Sequence, residues 1–449
     1  MSISKNIINQ FIVQSTGIIS GFFISIIIAK ILGPAGRGEF AVFVTSLTFI
    51  SIFLSLSINH SILYAISSNK FPIDKIFYTC LLFSLGLIFV NIIFFWTEFL
   101  FHSNFLFSNE SITANALMIL GFTIYLFISI INAVMAGLKI FKLQQLLSIL
   151  FSILNIILFG GYFFIKVYVS PTVQIQFNDF LYFYTFTQII ILIITLYFFF
   201  KETPISFNIS FLNFKDFKFL IAFSLTAYLA NLFQFLTYKI DISFVDFYLG
   251  KSQLGVYSLA TNLTRMFWVL PVSISTILIP YNATDELSRS TININKLTRT
   301  TIFMIVVIIA FSLPLIDLFI PFIYGNEFSE ASTILKILIF GLIPFAATNI
   351  VLSFFSGRGL VKHNLIFAFI VFILTITGDY FLINSFGTVG ASITNVLSYT
   401  LGFIYPLVIY INYTNASLSD LLIVKKLDFV EVKKKLSANL KLNIFKTPK

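Results

Sequence analysis

Charged residues are scarce in this sequence, and their scarcity distinguishes a membrane protein from a soluble one. Only 10% of the 449 residues are charged, against about 25% in soluble domains. A chain this poor in charge cannot cover a water-facing surface, whereas it can cover a lipid-facing one. Hydrophobic residues make up 58% of the chain and its mean hydropathy is +0.99. We therefore expect a membrane protein and not a soluble one.

Cysteine and histidine are also scarce, which argues against several kinds of site. Cys80 is the single cysteine, so the chain can form neither an internal disulfide nor a cysteine metal site. The three histidines are His60, His102 and His363, which are too scattered for a metal centre. The glycine-rich run 33–38 lacks both a preceding strand and the lysine of a phosphate-binding loop. We expect no metal, no cofactor, no direct use of ATP and no enzymatic activity.

Long apolar runs are abundant. A helix needs about 20 mostly apolar residues to cross the hydrocarbon core, and its backbone groups must be paired internally there. The first run is too long for the core of a cleaved signal peptide, so we interpret it as a membrane helix. Twelve such runs lie near 7–32, 40–66, 76–97, 112–137, 145–167, 179–200, 218–249, 256–280, 301–324, 332–356, 364–386 and 388–411.

The distribution of lysine and arginine orients these runs. With the N-terminus in the cytoplasm, 21 of the 28 cations fall on the cytoplasmic side, 4 on the other side and 3 within the runs. Cations accumulate in cytoplasmic loops of membrane proteins. The pattern predicts an inner-membrane protein of twelve helices with both termini in the cytoplasm. The net charge of +10 follows from the same bias and indicates no nucleic-acid partner.

One short pattern occurs twice, six helices apart. Residues 32–40 and 249–257 both read L-G-x4-G-x-aromatic. Parallel repeats of this kind are typical of transporters that rock two halves around a central site. We predict an all-α polytopic membrane protein with two six-helix lobes, 1–203 and 204–411, that works by alternating access. A basic tail, 412–449, is expected in the cytoplasm, either on the anionic membrane surface or free in solution.

Ionisable residues within the runs are concentrated in the second half. Such groups are costly in lipid unless they face protein or water, so we expect a wet cavity beside the seventh and eighth helices. Lys239 and Arg265 are the candidate phosphate ligands, because both offer charge-assisted donors. Asp241 is expected to balance them when the cavity is empty. The alternative is a buried ion pair of Asp241 with Lys239 or Arg265 that binds no ligand.

Further candidates line the expected path. Arg37 and Lys30 lie on the extracytoplasmic side against the charge bias, either as phosphate ligands at a portal or as helix-end residues that reach toward water. Asp379 is given a structural role. The uncharged residues expected to line the cavity are Asn9, Gln14, Asn59, Asn231, Gln234 and Asn262.

Four blocks of the sequence together resemble the oligosaccharide flippases that move O-antigen and capsule repeat units. The blocks include AKILGP at 29–34, YKID at 238–241, YGNEF at 324–328 with SGRG at 356–359, and FGTVGAS at 386–392. They occur in order over nearly the whole chain. The superfamily also contains multidrug/toxin extrusion antiporters and peptidoglycan-precursor flippases, and both remain alternatives.

The resemblance implies a fold, a substrate and partners. The fold is a V-shaped pair of six-helix bundles, and the substrate is a polyprenyl-pyrophosphate-linked oligosaccharide moved to the outer leaflet for capsule, O-antigen or other surface polysaccharide. Asp241 stands at the position of a recurring acid, and Lys239 stands where arginine is common. Membrane lipid, a coupling H⁺ or Na⁺, a polysaccharide polymerase and export machinery are the partners it suggests.

Overall fold

The computed structural model describes residues 3–55, 58–67, 71–100, 112–138, 140–165, 177–203, 205, 209–425 and 428. These residues form helices and short connections, and no strand occurs among them. The helices are α1 (Ile3–Ser55), α2 (Ile58–Ser67), α3 (Ile73–Leu100), α4 (Ile112–Gly137), α5 (Phe141–Phe164), α6 (Phe177–Glu202), α7 (Phe214–Met266), α8 (Val269–Thr284), α9 (Leu287–Ser312), α10 (Ile316–Tyr324), α11 (Glu330–Leu338), α12 (Leu342–Gly357), α13 (Lys362–Thr414) and α14 (Leu418–Leu422).

The three longest helices are helical hairpins and not straight rods. Each is broken at a glycine with positive φ: Gly33 in α1, Gly250 in α7 and Gly387 in α13. In α7 the Tyr257 hydroxyl lies 2.5 Å from a carboxylate oxygen of Asp241, although a straight helix would put these residues about 24 Å apart. Only glycine adopts this backbone conformation without strain, and it reverses the chain.

Counting the arms of these hairpins separately is consistent with the predicted twelve spans. As continuous elements, eight helices of the described chain are long and apolar enough to cross a membrane, and the bent pair α7–α8 adds a ninth. The α7 arm and α8 are bent by 47° and together make the predicted eighth span. The all-helical, polytopic fold class is therefore confirmed.

The predicted ninth span, 301–324, was misplaced. The spanning helix α9 begins earlier, at Leu287, and ends at Ser312, while 316–324 forms the separate short helix α10. Pro314 lies in the turn between them. Proline has no N–H to continue the helical hydrogen bonds, so the apolar run is cut in two.

The glycine turns of α1 and α7 touch each other, which makes the sequence repeat a structural one. A Cβ atom added to Gly38 would lie 1.9 Å from the Lys251 carbonyl oxygen, and one added to Gly255 would lie 1.8 Å from the Pro34 carbonyl oxygen. The α7 turn also meets the α13 turn, where Leu249 approaches Gly387. The three turns thus share one end of the molecule, which we call the turn end.

Packing at the opposite end joins the tail to the second half. Arg299 of α9 forms a bidentate ion pair with Asp428, at 2.6 and 2.7 Å, and donates to the Asp420 carbonyl oxygen. The remainder of the predicted tail, 426–427 and 429–449, lies outside the described residues. The start of α7 packs on the first half, with Phe217 against Phe83, and the lobe limit at residue 203 stays a prediction.

Candidate substrate cavity

A cavity of about 170 Å³ lies between the α1 and α7 hairpins, directly below their turns. Its lining comes from both arms of each hairpin, because the reversals at Gly33 and Gly250 bring residues distant in sequence side by side. The lining residues are Gly21, Ile24, Ser25, Ile28, Arg37, Phe40, Ala41, Val44, Lys239, Ile242, Ser258 and Asn262. The cavity is therefore located where the two repeated units of the chain meet.

Arg37 is buried in the wall of this cavity. The residue is only 3% exposed. Its side chain therefore does not extend to the membrane surface, as that of a helix-end cation would. Its Nη1 donates to the Ser25 carbonyl oxygen at 3.0 Å. Its Nε has no hydrogen-bond partner among the described residues. An unpaired donor of a buried cation is costly, and a ligand anion in the cavity would satisfy it.

Lys239 supplies the second cation of the cavity, from the first arm of α7. It is half-buried, and Asn262 from the second arm lies on the same wall. The described lining holds these two cations and no carboxylate. Because both charges sit in surroundings of low polarity, the cavity is electrostatically suited to an anion and unsuited to an organic cation.

Asp241 belongs to a different cluster, on the side of α7 that faces α13. Its carboxylate accepts from the Tyr257 hydroxyl at 2.5 Å, from the Asn395 amide at 3.0 Å and from the Ile242 backbone N–H at 2.9 Å. Asn395 also donates to the Tyr257 hydroxyl at 2.9 Å. The acid is 1% exposed, and these neutral donors compensate its burial.

Arg265 lies near this acidic cluster and not on the cavity wall. Its guanidinium is 5.6 Å from the ring centre of Trp268, a distance at which a cation is attracted by the ring face. The Trp268 ring in turn stacks on Phe345 at 4.3 Å. A space of about 30 Å³, enough for a water or a small ion, is lined by Arg265, Asp241 and Asn395, among others. Lys239 and Arg265 thus line different spaces, although their charges are close enough to interact.

A second acid lies buried near Asp241. Asp379 of α13 is 0% exposed; the Thr394 hydroxyl lies near its carboxylate, but neither carboxylate oxygen makes a hydrogen bond of good geometry within the described chain. It is in electrostatic contact with both Asp241 and Tyr257. A buried carboxylate without donors is costly as an anion, so this position favours binding of a cation or a proton. The structural role expected for Asp379 from the sequence does not explain this arrangement.

The other sequence candidates lie away from the cavity. Lys30 is exposed, Asn59 is half-buried in α2, and Asn231 and Gln234 are on the part of α7 remote from its turn. The side chains of Asn9 and Gln14 lie outside the described residues. No group of three or more histidine, cysteine, aspartate or glutamate side chains that could hold a metal ion occurs in the ranges described.

Several residues of the site were missed by sequence reasoning. Ser25 and Ser258 line the cavity, and Tyr257 and Asn395 hold Asp241. One signal was present: a chain that reverses at Gly250 brings residue 241 opposite residue 257. Asn395 gave no such signal, because its approach to Asp241 depends on how α13 packs against α7.

Comparison with known proteins decides the family. The family model described as polysaccharide biosynthesis protein matches residues 3–285, well over half of the chain. The chain belongs to this family. No curated protein sequence matches it. The resemblance to the oligosaccharide-flippase superfamily, predicted from the four sequence blocks, is confirmed.

Solved structures of transporters share the fold. The lipid II flippase MurJ, in an inward closed conformation, superposes with a TM-score of 0.71 at 17% identity, over 92% of this chain and 89% of that one. A multidrug-resistance MATE family transporter of the MOP superfamily, facing inward, gives 0.69 at 17% identity, over 89% and 96%. A MOP superfamily transporter from Pyrococcus furiosus gives 0.60 at 14% identity, over 93% and 98%.

These similarities establish a class, and identities this low establish the fold alone. The chain is an integral membrane protein with the architecture of alternating-access transporters and flippases. Family and fold are those of transport proteins and not of enzymes. Both flippases and drug transporters share this fold, so the substrate has to be argued from the cavity.

Proposed function

We propose that this protein flips polyprenyl-pyrophosphate-linked oligosaccharide units from the cytoplasmic to the outer leaflet of the inner membrane, for synthesis of O-antigen, capsule or another surface polysaccharide. The observation that carries the proposal is the pair of cations, buried Arg37 and half-buried Lys239, on one cavity between the two hairpins. Membership of a polysaccharide biosynthesis family supports it.

In this mechanism the two cations hold the pyrophosphate. Arg37 offers an unpaired Nε donor, and a guanidinium binds phosphate oxygens with directed, charge-assisted hydrogen bonds. Lys239 adds a second positive charge from the opposite hairpin. The polyprenyl chain stays in lipid between the lobes. Since both charges repel an organic cation, the cavity favours a lipid pyrophosphate over the substrates of a drug antiporter.

The glycan needs more room than this cavity has. At about 170 Å³ the cavity is smaller than the roughly 300–1,000 Å³ of pockets that hold drug-sized ligands. Passage of an oligosaccharide therefore requires the α1 and α7 hairpins to move apart. This is the motion expected of two lobes that rock around a central site.

The acidic cluster in the second half is the proposed binding position for the coupling H⁺ or Na⁺. Asp379 makes no hydrogen bond of good geometry among the described residues, and Asp241 lies close enough to interact with it electrostatically. Two buried carboxylates in one place disfavour the doubly charged form, and a bound cation removes that penalty. Coupling and substrate binding would then use separate side chains.

Two pairs of variants test the substrate assignment. Arg37→Gln and Lys239→Gln each remove one charge, and Arg289→Gln and Lys215→Gln are matched controls because both residues are exposed and remote from the cavity. A charge-assisted hydrogen bond contributes about 1.5–3 kcal/mol, which corresponds to a roughly 10- to 150-fold loss of affinity. We expect surface polysaccharide to fall in both cavity variants and not in the controls.

The double variant gives the clearer result. Arg37→Gln combined with Lys239→Gln should leave lipid-linked oligosaccharide on the cytoplasmic leaflet while the amount of folded protein stays normal. If the double variant exports surface polysaccharide at the parent level, the cavity does not hold the pyrophosphate. If instead the strain loses cell-wall synthesis and keeps its surface polysaccharide, the substrate is a peptidoglycan precursor.

The orientation in the membrane is a separate part of the proposal. We place the turn end outside the cell and both termini in the cytoplasm. With Cys80 replaced by serine, Ser252→Cys near the α7 turn should react in intact cells with a maleimide that cannot cross the membrane. Ser288→Cys at the other end should react only after the cells are opened. The reverse pattern would contradict the proposed orientation.

A further inference from the structure

Helix α10 joins the two halves at the turn end. It precedes α11, whose first residue, Glu330, contacts Gln253 and Thr388 beside the α7 and α13 turns. From this position α10 reaches back to the first arm of α1, where its Phe319 stacks on Phe22 at 6.1 Å. A nine-residue helix of the second half is thus fastened to the first half.

The last residue of α10 makes the most specific contact with α1. Tyr324 is 1% exposed, and its hydroxyl lies 3.4 Å from the Ser25 hydroxyl. Its ring meets Phe22 edge-on at 6.4 Å. A hydroxyl contact of 3.4 Å is long and therefore weak. Such a contact helps to hold two surfaces together and is easily given up.

Ser25 connects this contact to the cavity. Its carbonyl oxygen accepts from Nη1 of Arg37, and its hydroxyl faces Tyr324. The same guanidinium lines the cavity, with its Nε unpaired among the described residues. One side chain therefore touches the cavity and the contact between the halves.

We propose that α10 is a latch which holds the turn end shut, and that an anion bound to Arg37 releases it. The inference rests on the proposed function, since it assigns a second role to the residue that holds the pyrophosphate. A phosphate in the cavity competes with the Ser25 carbonyl oxygen for the guanidinium. A ligand shifts a conformational equilibrium only by binding one state more tightly. Here the anion binds more tightly to the conformation in which the Arg37 guanidinium no longer donates to the Ser25 carbonyl oxygen.

The distance between the α1 and α13 turns reports on the latch. The α7 turn lies between them, because it contacts both, so this distance grows when the halves separate at the turn end. We would attach spin labels at Ala35→Cys and Phe386→Cys, both exposed positions, in full-length protein with Cys80→Ser in lipid nanodiscs. Double electron–electron resonance then gives the distance distribution with and without farnesyl diphosphate, and farnesol serves as the probe without phosphate.

Four results are expected together. Farnesyl diphosphate lengthens the distance in the parent, and farnesol does not. Tyr324→Phe, which keeps the ring packing and loses the hydroxyl, populates the longer distance without any probe. Tyr380→Phe, at an exposed tyrosine of α13, behaves like the parent. Arg37→Gln binds farnesyl diphosphate more weakly, and its distance does not respond to concentrations that shift the parent.

The possible failures are distinguishable. If farnesyl diphosphate binds, and binding requires Arg37, but the distance stays the same, the latch is overturned and the substrate assignment stands. The latch is also overturned if Tyr324→Phe gives the same distances as the parent. If the parent binds neither farnesyl diphosphate nor its natural lipid-linked counterpart, the proposed function fails and the latch fails with it.

Discussion

Helices α1 and α7 reverse at glycines that occupy the same place in a repeated pattern. The interval in sequence that relates Gly33 to Gly250 also relates Gly38 to Gly255, and the two turns touch reciprocally, backbone against backbone. The common geometry comes from glycine, which permits both the positive φ of the reversal and the close approach. Backbone shape is therefore the part of the structure that the two halves share.

The side chains of the two hairpins differ at corresponding positions. Where α7 has Asp241 and Tyr257, hydrogen-bonded to each other, α1 has Ile24 and Phe40. Where α1 has the buried cation Arg37, α7 has Leu254. At these corresponding positions the acid is present only in α7 and the buried arginine only in α1. In our proposal the cation of α1 binds the substrate, together with Lys239, and the acid of α7 serves the coupling ion.

The largest effect is expected from substitutions at the glycine contact between the α1 and α7 turns, which is the feature that the two hairpins share. Gly38→Ala and Gly255→Ala each put a Cβ atom within 2 Å of a carbonyl oxygen of the opposite turn, so the turns must separate. Overpacking of this kind costs about 1–3 kcal/mol, and we expect polysaccharide export to fall roughly tenfold or more in both variants. Gly86→Ala, which adds a Cβ in open space, is the control. A loss in one variant only would contradict the reciprocal contact.

The next largest effect is expected at Asp241 and Asp379, the buried acids of the second half. Asp241→Asn leaves Tyr257 and Asn395 without their shared carboxylate and should lower the unfolding free energy by about 1–3 kcal/mol. Asp379→Asn removes a charge that receives no hydrogen bond of good geometry in the described part of the chain. It should not lower stability, but it should abolish the dependence of export on H⁺ or Na⁺.

The two measurements for these acids are thermal unfolding in detergent and export under imposed ion gradients. Equal destabilisation by both variants would show that Asp379 is a structural group. Retained ion dependence in Asp379→Asn would place the coupling ion elsewhere.

Exchanging the corresponding aromatic residues has a smaller expected effect. Tyr257→Phe removes one hydrogen bond to Asp241 while Asn395 still donates to it, so the free energy of unfolding should fall by about 1 kcal/mol. Phe40→Tyr adds a hydroxyl on the cavity wall, where it meets no acid in the described lining. We expect a change of less than about 0.5 kcal/mol there. Similar losses in thermal unfolding would show that the two hairpins are chemically alike after all.

The smallest expected effect concerns the described part of the tail, which is attached to Arg299 of the second half. The Arg299 guanidinium lowers the pKa of Asp428 below its usual range. The ion pair therefore stabilises the docked tail above the ordinary aspartate pKa of about 3.9, and this contribution is lost as the pH falls through the lowered pKa. Limited proteolysis by pepsin should cut the tail of the parent only at the acid end of its range. Arg299→Ala should be cut at every pH, and equal cutting of both proteins would contradict docking through this pair.

The sequence predicted the class and the repeat because those depend on local chemistry. Apolar length identifies spans, and the spacing of Gly33 and Gly38 against Gly250 and Gly255 identified the reversals. The site was predicted only partly. Lys239, Arg37 and Asn262 lie together on the cavity, whereas Arg265 and Lys30 do not.

The errors have physical causes. A charged residue in an apolar run is expected to face protein or water and not lipid. Which neighbours it then meets depends on the rotation of its helix, and the sequence does not give that rotation. For this reason Arg265 lies over the Trp268 ring and lines the space beside Asp241, whereas Lys239 lines the cavity. The lack of well-formed hydrogen bonds to Asp379 could not be predicted from the sequence, because it depends on how the neighbouring side chains are arranged in the fold.

Transfer of lipid across a purified membrane tests the central claim most directly. The protein would be reconstituted in vesicles with a polyprenyl-pyrophosphate-linked oligosaccharide, and the fraction moved to the opposite leaflet would be measured with an enzyme that modifies the glycan only there. We predict transfer by the parent and by Arg289→Gln, and none above empty vesicles for Arg37→Gln combined with Lys239→Gln. Parent-level transfer by the double variant would contradict the account, because it would show that the two buried cations do not hold the pyrophosphate.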